Sequence, residues 1–185
     1  MRNRIRAVRA MGLRALVVGA AAAGPLFAVA GPAHAAGTVD NSGGRLVISS
    51  TTTNNAVTVS VSGTNLVVVD TLTTLSAGGS CTQVDTHTVR CPSAGVADMS
   101  AVLGPGSDVF TNNTALPSLV FLGDGADFFQ GGSARDQVSG GGGNDRMSGN
   151  GGDDTLLGGA GTTDRASGGS GADACTAEIE DTCES

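Results

Sequence analysis

The chain has 185 residues, with 10 basic side chains against 17 acidic ones and a formal charge of −7, and it contains neither Trp nor Tyr. All 10 basic residues are arginines; five lie at positions 2 to 14, and all 17 acids follow residue 36. Beyond that start the charge is −12, five arginines against 17 acids, which excludes nucleic acid or an anionic membrane surface as partner and favours cations. Sugar binding is weakened too, because ring stacking has only phenylalanine to work with.

The first element is a leader. "MRNRIRAVRAMGLR" is basic, "ALVVGAAAAGPLFAVAG" is apolar, and Ala33-His34-Ala35 fits the small-x-small rule for signal peptidase. Residues 1–35 therefore read as a Sec-type secretory signal, with an exported chain starting at Ala36. A membrane anchor is the alternative, but the apolar run is short and broken by Pro25. No cysteine follows the cleavage point, which speaks against a lipid anchor.

Residues 36–102 read as a β-rich segment. In "AVTVSVSGTNLVVVDT" the residues Val57, Val59 and Val61 alternate with small or polar ones, and "SGTN" supplies a turn. "RLVISS" and "GVADMSAVL" read as further strands. Four cysteines in an exported chain imply two disulfides, with three pairings open in principle. Proximity favours Cys81 with Cys91, closing "CTQVDTHTVRC" as a hairpin or loop, and Cys175 with Cys183. Thiol ligation of a metal is the weaker alternative, lacking CxxC spacing. His87 lies within the first cysteine loop and reads as a solvent-facing strand residue, since no nucleophile motif accompanies it.

From Leu122 the chain repeats every nine residues: "LGDGADFFQ", "GGSARDQVS", "GGGGNDRMS", "GNGGDDTLL", then "GGAGTTDRAS" with one inserted residue, then "GGSGADACT". Asp127, Asp136, Asp145, Asp154, Asp164 and Asp173 occupy the sixth place. Gly123, Gly132, Gly141, Gly159 and Gly169 fill the second place, and Gly125, Gly143, Gly152, Gly161 and Gly171 the fourth. An apolar or small residue follows two places after each aspartate: Phe129, Val138, Met147, Leu156, Ala166 and Cys175. A weaker copy, "LGPGSDVFT", places Asp108 and Phe110 upstream. So glycine-rich a chain loses much backbone entropy on ordering, and its few apolar residues build only a thin core.

This pattern resembles the RTX, or haemolysin-type, nonapeptide repeat, GGxGxDxUx with U apolar. Signal, β segment, cysteine loops and repeats together also resemble small secreted calcium-binding proteins of high-GC Gram-positive bacteria. The resemblance implies an all-β chain whose Val/Thr-rich segment continues into a right-handed parallel β-roll. The roll would span 103–176, with 177–185 an acidic cap closed by Cys175 and Cys183. Calcium, a hard cation wanting six to eight oxygens, would lie between stacked turns. Asp127, Asp145 and Asp164 would line one side, extended by Asp108, and Asp136, Asp154 and Asp173 the other. Departures occur at Leu122, Ala134, Asn150 and the Thr162-Thr163 insertion, so the site at Asp164 is expected to be the weakest. The four phenylalanines at 110, 121, 128 and 129 are expected to plug the junction with the upstream segment.

Other readings fare worse. Linkers do not hold two residue types in register, collagen repeats every three residues, and an EF-hand needs a twelve-residue loop between helices. Glu178, Glu180, Asp181 and Glu184 read as a solvated acidic tail. The expected function is calcium binding coupled to folding, without catalysis. A small β-helical enzyme acting on acidic polysaccharide and an adhesion or cell-wall module are the alternatives. Lysine and tyrosine, which handle uronate charge and proton abstraction in such enzymes, are absent. Targeting for type I export is made redundant by the leader.

Overall fold

The computed structural model describes residues 37–184; the predicted signal at 1–35 lies outside the described residues. Every regular element among them is a strand. The first seven are β1 (Gly37–Ser42), β2 (Arg45–Ser50), β3 (Ala56–Ser62), β4 (Asn65–Asp70), β5 (Leu75–Ala77), β6 (Thr82–Asp85) and β7 (Thr88–Pro92). The next five are β8 (Asp98–Pro105), β9 (Val109–Asn113), β10 (Ser118–Asp124), β11 (Phe128–Gln130) and β12 (Asp136–Gly142). The last five are β13 (Arg146–Gly151), β14 (Thr155–Ala160), β15 (Arg165–Ser170), β16 (Ala174–Thr176) and β17 (Ile179–Asp181).

From β8 onward the chain alternates between two sheets, and from β10 each strand pairs in parallel with the strand two before it. One β-roll coil is thus two strands and two turns. The coil stack begins upstream of residue 103, because β2 pairs in parallel with β8 and β3 with β9. The chain between β3 and β8 then closes the N-terminal end with antiparallel strands: β4 on β3, β7 on β4, and β6 on β7. On the other sheet β1 pairs antiparallel with β2 and β5 in parallel with β1, so both sheets extend beyond the first coil and cover edges that it would leave open. Cys81 and Cys91 are disulfide-bonded across β6 and β7, and Cys175 and Cys183 across the C-terminal end.

Two facing rows of side chains fill the space between the sheets. Val57, Phe110, Phe129, Met147 and Ala166 follow one another in register along one sheet. Ile48, Ala101, Val120, Val138 and Leu156 do so along the other, and both rows are buried. Leu103 and Leu122 add bulk to the early coils, whereas the register places Gly140 and Gly158 at the same position in later ones. The core therefore thins toward the C-terminus, where the apolar contribution to stability is smallest.

The phenylalanine plug is half right. Phe110 and Phe129 stack with centroids 6.0 Å apart and planes 7° from parallel. Phe121 and Phe128 sit one residue out of phase with the core and face outward, Phe121 being 47% exposed. His87 also differs from expectation. It lies in the turn between β6 and β7, and its Nδ1 is 2.9 Å from the Asp70 carbonyl and 3.0 Å from that of Thr73. With two carbonyl acceptors in reach, Nδ1 carries the proton and ties this turn to the 70–73 loop.

Candidate metal centre: two carboxylate ladders

The sixth-place aspartates are the main polar contents of the interior. Asp108, Asp127, Asp136, Asp145, Asp154, Asp164 and Asp173 are all buried. They fall into two columns, one along each edge where the chain crosses between sheets. On the first edge the N–H of Asp108 donates to Oδ1 of Asp127 at 2.7 Å, that of Asp127 to Asp145 at 2.9 Å, and that of Asp145 to Asp164 at 2.8 Å. On the second, the N–H of Asp136 donates to Oδ1 of Asp154 at 2.7 Å, and that of Asp154 to Asp173 at 2.9 Å. Each aspartate thus satisfies the main chain of the coil before it.

One oxygen of the carboxylate does this; the other has nothing to bind. Oδ2 of Asp108, Asp127, Asp145, Asp154 and Asp173 is buried without a hydrogen-bond partner. Native proteins rarely leave buried polar atoms orphaned, and a column of them is costly unless a ligand completes it. Asp164 Oδ2 is not among these atoms, and Asp136 uses both oxygens: its Oδ1 accepts from the Ser118 hydroxyl at 2.6 Å and its Oδ2 from the Gly132 N–H at 3.0 Å.

The first-place glycine makes room for that free oxygen. A Cβ on Gly140 would overlap both Asp145 Oδ2 and the Gly158 carbonyl oxygen; one on Gly149 would overlap Asp154 Oδ2 and meet the Gly168 carbonyl. Carboxylate and carbonyl oxygens of successive coils thus converge beside a residue with no side chain. At Gly141 and Gly143, with φ of 109° and 122°, a Cβ would strike the carbonyls of Gly123 and Gly125, so the turns also stack as closely as backbone allows. Gly159 and Gly161 continue this packing on the first edge, and Gly152, Gly169 and Gly171 repeat it on the second.

The departures from the repeat are absorbed locally. Asn150 takes the left-handed conformation of the glycine it replaces, at φ 70°, and its Nδ2 donates to the Gly131 carbonyl at 2.7 Å. The inserted threonine does not displace Asp164 from its column. Asn144 Oδ1 accepts from the N–H groups of Thr162 and Thr163, at 3.1 and 3.2 Å, and holds the longer turn in place.

The electrostatics suit a cation. Burial, helped by the neighbouring carboxylates of Asp145 and Asp108, pushes Asp127 up to about 6. Burial, with Asp136 and Asp173 nearby, does the same for Asp154, also to about 6. Asp108, Asp136 and Asp145 are raised chiefly by burial. Among the described residues no three or more His, Cys, Asp or Glu side chains converge, so the carboxylates arrive one per coil. A metal here must draw its remaining ligands from main-chain carbonyls. Calcium accepts such a set of hard oxygens in flexible geometry; a soft metal seeking thiolate or imidazole does not.

Both ladders end in residues that the nonapeptide period does not reach. Toward the N-terminus the first is closed by Asn55, whose N–H and Nδ2 donate to Asp108 Oδ1 at 2.6 and 2.8 Å, and the second by Ser118. Toward the C-terminus the acceptors are glutamates. Glu178 Oε2 takes the N–H of Asp164 at 2.8 Å, and Glu184 Oε2 that of Asp173 at 3.1 Å.

A parallel two-sheet roll with buried carboxylate columns along both edges defines a calcium-binding solenoid. Residues 121–156 and 131–164 match the family of RTX calcium-binding nonapeptide repeats, in four copies, and the ion the repeats bind is calcium. No curated protein and no solved structure matches the chain.

Proposed function

We propose that this is an exported calcium-binding protein in which metal binds between successive turns and completes folding of the repeat region. The observation that carries the reading is the column of buried, partnerless Oδ2 atoms, those of Asp145, Asp154 and Asp173 lying against a first-place glycine. Asp108, Asp127, Asp145 and Asp164 would hold calcium along one edge, and Asp136, Asp154 and Asp173 along the other. Asp136 keeps its own hydrogen bonds and would contribute least. Carbonyls of the stacked turn glycines would supply the remaining oxygens.

The coupling to folding follows from the same feature. Without metal, carboxylates held inside a thin core lose hydration, and their repulsion when ionised opposes compaction. A cation that binds only the stacked turns adds its binding free energy to folding, growing as RT ln(1 + [Ca]/Kd). Two disulfides and the basic-apolar start of the chain support export. Binding, without catalysis, is the role assigned.

Far-UV circular dichroism of the purified protein, titrated with calcium and separately with magnesium, tests this. The expected result is a gain of β signal and melting temperature with calcium and little with magnesium, which dehydrates reluctantly. A β signal and melting temperature indifferent to calcium would mean a static scaffold.

A further inference from the structure

The two glutamates at the ladder ends are not part of any repeat, yet each makes the bond that a sixth-place aspartate makes elsewhere. Along the first edge the acceptors run Asp127, Asp145, Asp164, Glu178, each taking the N–H of the preceding member. Along the second they run Asp154, Asp173, Glu184. The longer arm lets a glutamate outside the nine-residue spacing reach the rung, and β17 brings the chain past both positions.

The last rung of the second edge needs something at that place. Asp173 is 2% exposed and its Oδ2 has no partner. Beside the interior glycines Gly140 and Gly149 the free carboxylate oxygen meets a glycine carbonyl from the next coil. Beside Gly158 and Gly168 the nearest atoms all belong to Asp164 and Asp173 themselves. At each terminal rung the acceptor of the aspartate N–H is a glutamate carboxylate. The N-terminal ends differ in kind: Asn55 and Ser118 close them with neutral groups that complete the local hydrogen bonding.

We infer that Glu178 and Glu184 are the closing ligands of two further calcium sites, one between Asp164 and Glu178 and one between Asp173 and Glu184. The inference rests on the calcium reading of the repeats. It extends that reading to residues outside the motif and makes the C-terminal segment a metal-held lid on both edges. The Cys175–Cys183 bond encloses Glu178 and sits next to Glu184, so a single covalent loop positions both lids.

Calorimetric titration of the protein with calcium chloride, alongside metal-free melting, separates a ligand from a hydrogen-bond cap. Glu178→Gln and Glu184→Gln keep an oxygen that accepts the aspartate N–H but remove the charge. Each is expected to bind about one calcium fewer than wild type, and the double variant about two fewer, with unchanged metal-free melting. Glu180→Gln is the control, because Glu180 accepts from the Ala177 N–H and stands off both ladders. It is expected to keep the wild-type number. Glu178→Ala and Glu184→Ala, which remove bond and charge together, report what loss of the cap alone does to melting.

Wild-type stoichiometry in the glutamine variants overturns the inference. So does a loss of calcium that appears only with the lowered melting of the alanine variants, or an equal loss in Glu180→Gln. Absence of calcium uptake by the wild type would instead sink the reading of the repeats themselves.

Discussion

The N–H of Asp127 donates to Oδ1 of Asp145 at 2.9 Å, while Oδ2 of both residues is buried and unpartnered. One carboxylate thus does two separable jobs: it satisfies the main chain of the preceding coil and offers a free oxygen to a cation. Substitutions that split these jobs show which one holds the roll together.

Asp145→Asn keeps an oxygen for the Asp127 N–H and removes the charge. The metal-free protein is expected to melt no lower than wild type, since a carboxyl that burial disfavours in its charged form has left the core. The calcium-induced rise in melting temperature should shrink. Asp145→Ala strands the Asp127 N–H as well, at about 1–3 kcal/mol. Paired thermal melts with calcium and with chelator distinguish the variants; an undiminished calcium shift in Asp145→Asn would remove Asp145 from the metal set.

The raised pKa values set a pH dependence for the metal-free protein. Asp127 and Asp154 sit at about 6, above the ordinary carboxylate value, so the folded form holds protons that the unfolded chain has released. Stability without metal should therefore be greatest in acid and decline as pH rises through about 6. Calcium requires the ionised form, so its binding near pH 6 should expel protons. Melting with chelator between pH 4.5 and 7.5, about the range of these acidities, reads the first effect. Titration in two buffers of different ionisation enthalpy reads the second, and a flat melting profile would contradict the burial-driven shift.

Gly140 tests the cradle without touching a ligand. Its φ is not in the left-handed region, so alanine there acts through space alone, against Asp145 Oδ2 and the Gly158 carbonyl. Gly140→Ala is expected to cost about 1–3 kcal/mol as overpacking and to weaken calcium binding at that rung. Gly63→Ala has open space but φ +59°, so it should lose about 1 kcal/mol and leave calcium binding intact. Calcium titration of both variants checks the contrast.

The stacked pair in the core supplies a metal-independent control. Phe129→Ala removes a fully buried ring from Phe110 and should cost about 3–5 kcal/mol with or without calcium. Phe121→Ala, on the outer face, should stay within about 0.5 kcal/mol. Denaturant unfolding measures both.

Much of the roll could be read in advance because its physics is periodic. A place in the nine-residue unit fixes whether a side chain faces in, faces out or forms the turn, so Asp145 and Met147 declare their positions directly. What stayed hidden depends on register across long gaps or on side-chain reach. Asn55 meets Asp108 from 53 positions away, with β3 to β8 intervening. Glu178 and Glu184 lie 14 and 11 residues beyond their partners, where interior rungs are 18 or 19 apart, so no spacing marks them. Phe121 and Phe128 were misjudged on composition, although their phase in the unit already places them outside.

The ladder bonds all point the same way. Each coil's aspartate N–H is satisfied by a carboxylate from the coil that follows it in the chain, never from the one before. Ribosomal synthesis makes the coils in the opposite order of that dependence, so every newly made coil waits for its successor. A chain cut short anywhere in the repeats leaves its final rung on each edge unanswered, and in a one-dimensional stack such a defect frays inward. The roll is therefore finished only when its last few residues arrive.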